Sequence, residues 1–208
     1  MKKALIICLA LGSFFSGTGQ TKTIELYDLV RSLLPDSTAI APMVKWNETA
    51  LQQKGITWQS PSPQQSESVF SMRGNLLLSI NGKTFSCDVS NNRPCPFQVY
   101  LEGNENGYTK ISLDHLSSNE IIPEQQIGFL FNKTVKSKIY RKNQDTGQVK
   151  VYTYECRIPG RRKFWLMYAT MMNPLGNSIY LKIYFSEKDL KEEESKRKSD
   201  PANPVKLR

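Results

Sequence analysis

The chain has 208 residues, with 28 Lys and Arg against 19 Asp and Glu, one histidine and a formal net charge of +9. Its 39% apolar and 23% charged residues are the composition of a globular protein. No run after the first twenty residues is apolar enough to span a membrane, and one histidine without a spaced Cys/His cluster gives no transition-metal site to expect.

The chain opens as a secretory signal peptide does. Lys2 and Lys3 are followed by the apolar run Ala4 to Leu11 and the small-residue stretch Gly12 to Gly19. Cleavage is expected after Gly19, and the layout is bacterial, which makes the mature protein periplasmic or secreted. An N-terminal anchor is the alternative, but the run is shorter than the ~20 residues a spanning helix needs. The organisation expected is 1–19 signal peptide, 20–185 one β-rich domain with an N-terminal helix, and 186–208 a charged C-terminal helix or tail.

Thr23 to Leu34 reads as an amphipathic helix, with Leu26, Leu29, Val30, Leu33 and Leu34 at helical spacing and Pro35 as its stop. A short helix is expected over Asn47 to Lys54, and the Ser/Pro/Gln-rich stretch Ser60 to Ser68 reads as a loop. Then comes the clearest signal in the chain. Leu76 to Ile80 reaches Asn81-Gly82, the favoured pair for a type I′ hairpin, and returns through Phe85 to Val89. That turn places Ile80 opposite Lys83, Leu78 opposite Phe85 and Leu76 opposite Cys87.

Further strands are expected over 97–101, 108–113, 128–131, 135–140, 149–158, 164–172 and 178–185, with turns at hairpin intervals. The fold class is mainly β (α+β), an antiparallel sandwich or open barrel of about eight strands with the N-terminal helix packed on it. Ser186-Glu187-Lys188-Asp189 resembles a capping box with Asp in place of Glu. The segment it opens has acidic residues early and Lys196-Arg197-Lys198 late, an order that suits a helix dipole. Leu190 is nearly its only apolar residue, which favours a solvated tail.

Three cysteines follow the leader: Cys87, Cys95 and Cys156. In an oxidising compartment one bridge is expected. Cys87 with Cys95 is favoured, because both lie an even number of steps from inward-facing neighbours and turn residues separate them.

Charge is uneven. Residues 129–165 hold ten basic and two acidic side chains, an excess larger than that of the whole mature chain. The bases are Lys133, Lys136, Lys138, Arg141, Lys142, Lys150, Arg157, Arg161, Arg162 and Lys163. Strand alternation puts Lys136, Lys138 and Tyr140 on one face and Lys150, Tyr152 and Tyr154 on one face of the next strand. Beside the loop bearing Arg161, Arg162 and Lys163, this makes a basic-aromatic face that attracts an anion. Export argues against nucleic acid and for an acidic protein surface or an anionic envelope polymer.

Catalytic signatures are absent. His115 beside Asp114 has no strained Gly-x-Ser-x-Gly nucleophile turn to work with. Glu102-x-Asn104-x-Asn106-Gly107 resembles the start of a calcium loop but ends on Leu113 where a bidentate Glu is required, so no metal is expected. The favoured function is an exported non-catalytic binding protein of the bacterial envelope, of inhibitor, immunity or assembly-accessory type, needing no cofactor. The alternatives are an envelope-polymer hydrolase using carboxylates or His115, and a small-ligand or lipid carrier in an open barrel. On the favoured reading, Arg161→Glu with Arg162→Glu weakens partner capture and leaves the fold intact.

Overall fold

The computed structural model describes residues 23–46, 56–58, 62–63, 70–84, 86–88, 93–94, 96–118, 127, 130–131, 134–143, 147–173 and 176–199. The expected signal peptide and the expected helix over 47–54 lie outside these residues. Mainly β structure with an N-terminal helix is what forms. The longer strands are β4 (Phe70–Ile80), β8 (Pro96–Asn104), β9 (Gly107–Ser118), β10 (Thr134–Asn143), β11 (Gly147–Cys156), β12 (Phe164–Asn173) and β13 (Gly176–Tyr184). Short ones are β1 (Thr23–Glu25), β2 (Thr57–Trp58), β3 (Ser62–Pro63), β5 (Lys83–Thr84), β6 (Ser86–Asp88) and β7 (Arg93–Pro94).

The main sheet runs β1-β4-β8-β9-β13-β12-β11-β10 and does not close into a barrel. β2, β3 and β5 pair with β4 off this path. Neighbours are antiparallel except β1, which runs parallel to β4. Helix α1 (Leu26–Leu33) follows β1 directly, so the expected helix is a strand at its first three residues. Among the described residues no helix is long and apolar enough to cross a membrane.

The Asn-Gly turn forms with the expected local register. Asn81 and Gly82 both have positive φ, 53° and 76°, and Ile80 pairs with Lys83. The rest of the expected return strand does not pair there. After Thr84 the chain leaves β4, and Phe97 of β8 takes the place opposite Leu76. β6 instead pairs with β7 in a separate two-stranded sheet. Both returning segments alternate apolar residues, so local pattern could not choose between them. The expected Cys87–Cys95 bridge falls outside the description, which omits Cys95 and the Cys87 side chain; Cys156 is fully buried.

The sheet is covered on both faces. On one, Leu26, Leu29, Val30 and Leu33 of α1 join Leu76, Leu78, Phe97 and Val99 in the main core. Burying each of these leucines is worth about 2 kcal/mol. On the other, Val151, Trp165, Met167 and Tyr184 form a smaller cluster around Leu190. Leu190 belongs to α2 (Glu187–Ser199), whose start is capped by the Asp189 N–H donating to Ser186 Oγ at 3.2 Å. The expected solvated tail is thus a helix docked over β12 and β13, with Lys182 reaching Glu193 at 3.2 Å. One apolar side chain suffices because the sheet supplies the rest of the cluster.

The expected strand over 128–131 is also different. Ile127 and Leu130 are helical, and Ile127 and Phe131 are fully buried in the main core.

Candidate functional site

A groove of about 660 Å³ opens where β11 ends, lined by Tyr27, Leu130, Arg157, Ile158, Pro159, Arg161 and Lys163. Local chemistry builds it. Pro159-Gly160 turns the chain, with Gly160 at φ 75° and the Arg161 N–H returning to the Ile158 carbonyl at 3.1 Å. The Arg157 N–H donates to the Phe131 carbonyl at 3.1 Å, which ties the turn to the helical segment beside it. Tyr27 of α1 stacks on Phe131 with centroids 6.3 Å apart, and Phe131 meets Phe164 edge-on. The groove is thus lined by Tyr27, itself packed on Phe131, by Leu130 and Ile158, and by three cations.

Three cations line it. Arg157 and Lys163 share one carboxylate, Glu155, at 3.5 and 3.4 Å. Arg157 remains 70% exposed and Lys163 42%, whereas Glu155 is 16% exposed, so the positive ends face solvent and the carboxylate lies beneath. Lys163 also sits 5.2 Å from the Trp165 ring centroid, a cation–π contact. Arg161 is more committed: it pairs with Asp36 and donates to the Leu34 carbonyl at 3.4 Å.

Arg162 points away from the groove. It donates to the carbonyl oxygens of Ala39 and, at 3.3 Å, of Ile40. Backbone bonds reinforce this. The Ser37 N–H donates to the Gly160 carbonyl at 3.1 Å and the Arg162 N–H to the Pro35 carbonyl at 3.0 Å. Arg161 and Arg162 thus staple the segment 34–40 to the turn. Reversing both charges removes these contacts, so the double change acts on the 34–40 loop as well as on any partner.

The other expected site residues separate from the groove. Tyr152 and Tyr154 stack on each other inside the main core, 8% and 0% exposed, so neither is offered to a surface partner. Alternation along β11 holds, but both of its faces are covered: Val151 and Thr153 are also buried. Lys150 is partly buried at the far end of β11, seven residues and roughly 23 Å from Arg157. On β10, Lys138 pairs with Tyr152 and Tyr140 with Lys150, while a register shift at Lys136 breaks the expected alternation. The side chains of Lys136, Lys138 and Tyr140 lie outside the description.

Of the expected set, Arg161 and Lys163 line the groove. Arg157, Tyr27 and Leu130 complete it. Arg157 was legible as part of the basic run but stands at an odd position, on the opposite face from the residues chosen by alternation. Nothing in the sequence links Tyr27 to residues 130 positions away.

Asp114 marks a second polar cluster, on the sheet face that α2 partly covers. It pairs with Gln98 on one side and Tyr180 on the other. Burial pushes its carboxyl above the ordinary aspartate range; Lys182 opposes this, Glu102 adds to it and Lys110 opposes it. Its buried Oδ1 accepts no hydrogen bond from the described residues. Glu102 is engaged by Lys110 at 2.6 Å and accepts from Ser112 Oγ at 3.3 Å. The His115 side chain lies outside the description. Among the described residues no three potential metal ligands gather.

Comparison with known protein families, with characterised proteins and with solved structures finds no match to this chain.

Proposed function

We propose that this is an exported, non-catalytic binding protein of the bacterial cell envelope that engages an anionic partner at the groove between α1 and the 157–163 turn. One observation carries the reading: Arg157 and Lys163 stand exposed over a single recessed carboxylate at the rim of a groove floored by Tyr27 and Leu130. Cations on a packed, apolar floor attract an anion more strongly than the same charges spread over an open face. The basic start, apolar run and small-residue stretch of residues 1–19 support export. The open sheet, with its inner face filled by α1 and Phe131, supports surface binding over carriage of a lipid inside.

The reading is tested by Arg157→Glu with Lys163→Glu on immobilised heparin, used as a generic polyanion. Arg161 and Arg162 stay in place so that the 34–40 loop is undisturbed. Elution of the variant at clearly lower salt supports the groove. Elution at the salt of the unaltered protein, with an unchanged circular dichroism spectrum, removes it.

A further inference from the structure

On the segment that Arg162 holds, one aliphatic side chain stands out in solvent. Ile40 is 100% exposed, the large apolar residue so placed among the described residues. An exposed apolar residue standing singly is ordinary; what sets this one apart is that its loop is held on both sides. Arg162 donates to the carbonyl oxygens of the two successive residues Ala39 and Ile40. Upstream, Ser37 is bonded to Gly160 and Pro35 to Arg162. Downstream, Val44 and Tyr108 exchange backbone hydrogen bonds at 3.0 and 2.9 Å, and the Trp46 indole donates to the Asn104 carbonyl at 2.6 Å. Both shoulders are pinned and the apex is apolar.

We infer that Ile40 is the anchor of a protein–protein interface, entering an apolar pocket on a partner whose acidic rim meets Arg157 and Lys163. The inference rests on the groove being the anion-binding surface and narrows the partner from any polyanion to a folded protein. A glycan or a nucleic acid has no use for a held aliphatic knob, whereas a protein interface concentrates affinity in a few buried anchors ringed by polar contacts. Pre-ordering the loop removes the entropy that a mobile anchor loses on binding. The adjoining turn links the two features: Arg161 lines the groove and its neighbour Arg162 holds the knob.

The experiment uses the full chain in its native host with the photo-cross-linker benzoylphenylalanine at position 40, and at position 188 as an exposed control. A protein captured from position 40 and not from 188 is identified, purified and titrated against the unaltered chain, Ile40→Ala, Ile40→Asp, and Arg157→Glu with Lys163→Glu. Support requires affinity to fall about tenfold or more for Ile40→Asp, by a smaller factor for Ile40→Ala, and also for the charge reversal, with thermal unfolding unchanged for both Ile40 variants. Absence of a position-specific adduct overturns the inference, as does an adduct with a second copy of this chain. Ile40 variants that bind within twofold of the unaltered chain overturn it too. If the charge reversal alone then weakens binding, the groove stands and the anchor falls; if neither does, both fall.

Discussion

Arg162 donates from Nη1 to the carbonyl oxygen of Ile40 at 3.3 Å, across 122 positions of sequence. The same group also reaches Ala39. A cation that the charge pattern assigns to a binding face is thus a backbone clamp for the loop at residues 34–40. Removing it leaves both carbonyls to water and frees the loop. Arg162→Ala is expected to cost about 1–2 kcal/mol in urea unfolding and to speed amide exchange at Ser37. Arg162→Lys is expected to recover part of the loss, since one nitrogen makes both bonds and an ammonium has donors enough for two carbonyls. Unchanged exchange at Ser37 in Arg162→Ala contradicts the clamp.

Glu25 performs a similar task at the other end of α1. Its Oε1 accepts from Ser79 Oγ at 2.8 Å and from the Gly82 N–H at 2.7 Å, tying the β1–α1 junction to the type I′ turn. Hydrogen bonds to an ionised group are stronger than neutral ones. Glu25→Ala is expected to lower stability by about 2 kcal/mol, read as the urea midpoint at neutral pH. A loss below a few tenths would show that the turn holds without the clasp.

Asp114 gives a pH signature. Its folded carboxyl titrates above the ordinary aspartate value because burial disfavours the charged form. The folded state then binds a proton more tightly than the unfolded state does. Stability from this group is full below the unfolded value and falls as pH rises through the folded one. Asp114→Asn is therefore expected to be more stable than the unaltered chain at neutral pH. The difference should shrink on acidification and vanish below the ordinary aspartate value. Urea unfolding across a pH series reads it; a difference that does not change with pH contradicts the assignment.

Leu190 fixes α2 to the sheet. It packs with Trp165, Met167, Val151 and Tyr184 and is 4% exposed. Leu190→Ala is expected to cost about 2 kcal/mol, at the low end for a buried leucine because the site lies near the surface. Ending the chain at Phe185 is expected to shift tryptophan emission to longer wavelength as Trp165 meets water. An unshifted spectrum in the shortened chain means that the helix does not shield Trp165.

Local signals in the sequence reached the turns and strands; they did not reach the choice of partners. Asn81-Gly82 fixed its own turn because both residues must take positive φ there. Whether Cys87 or Phe97 lies opposite Leu76 depends on the whole sheet, and both segments alternate well enough to serve. The alternation of Tyr152 and Tyr154 was legible, but not which side was inside, because β11 is covered by the core on one face and the Leu190 cluster on the other. The basic run from Arg157 to Lys163 was legible as charge. Its division into two exposed cations sharing Glu155, one cation paired with Asp36 and one carbonyl clamp was not, because Asp36, Ala39 and Ile40 lie more than a hundred residues away.

The central claim is that Arg157 and Lys163 bind an anion at the groove rim. Its most direct test is the salt dependence of affinity for a soluble heparin oligosaccharide, compared between the unaltered chain and Arg157→Gln with Lys163→Gln. Each cation engaged on a polyanion releases counterions, so affinity falls with salt in proportion to the number engaged. The groove predicts weaker binding at low salt and a visibly shallower slope for the double variant. Identical affinity and slope in the two proteins would contradict it.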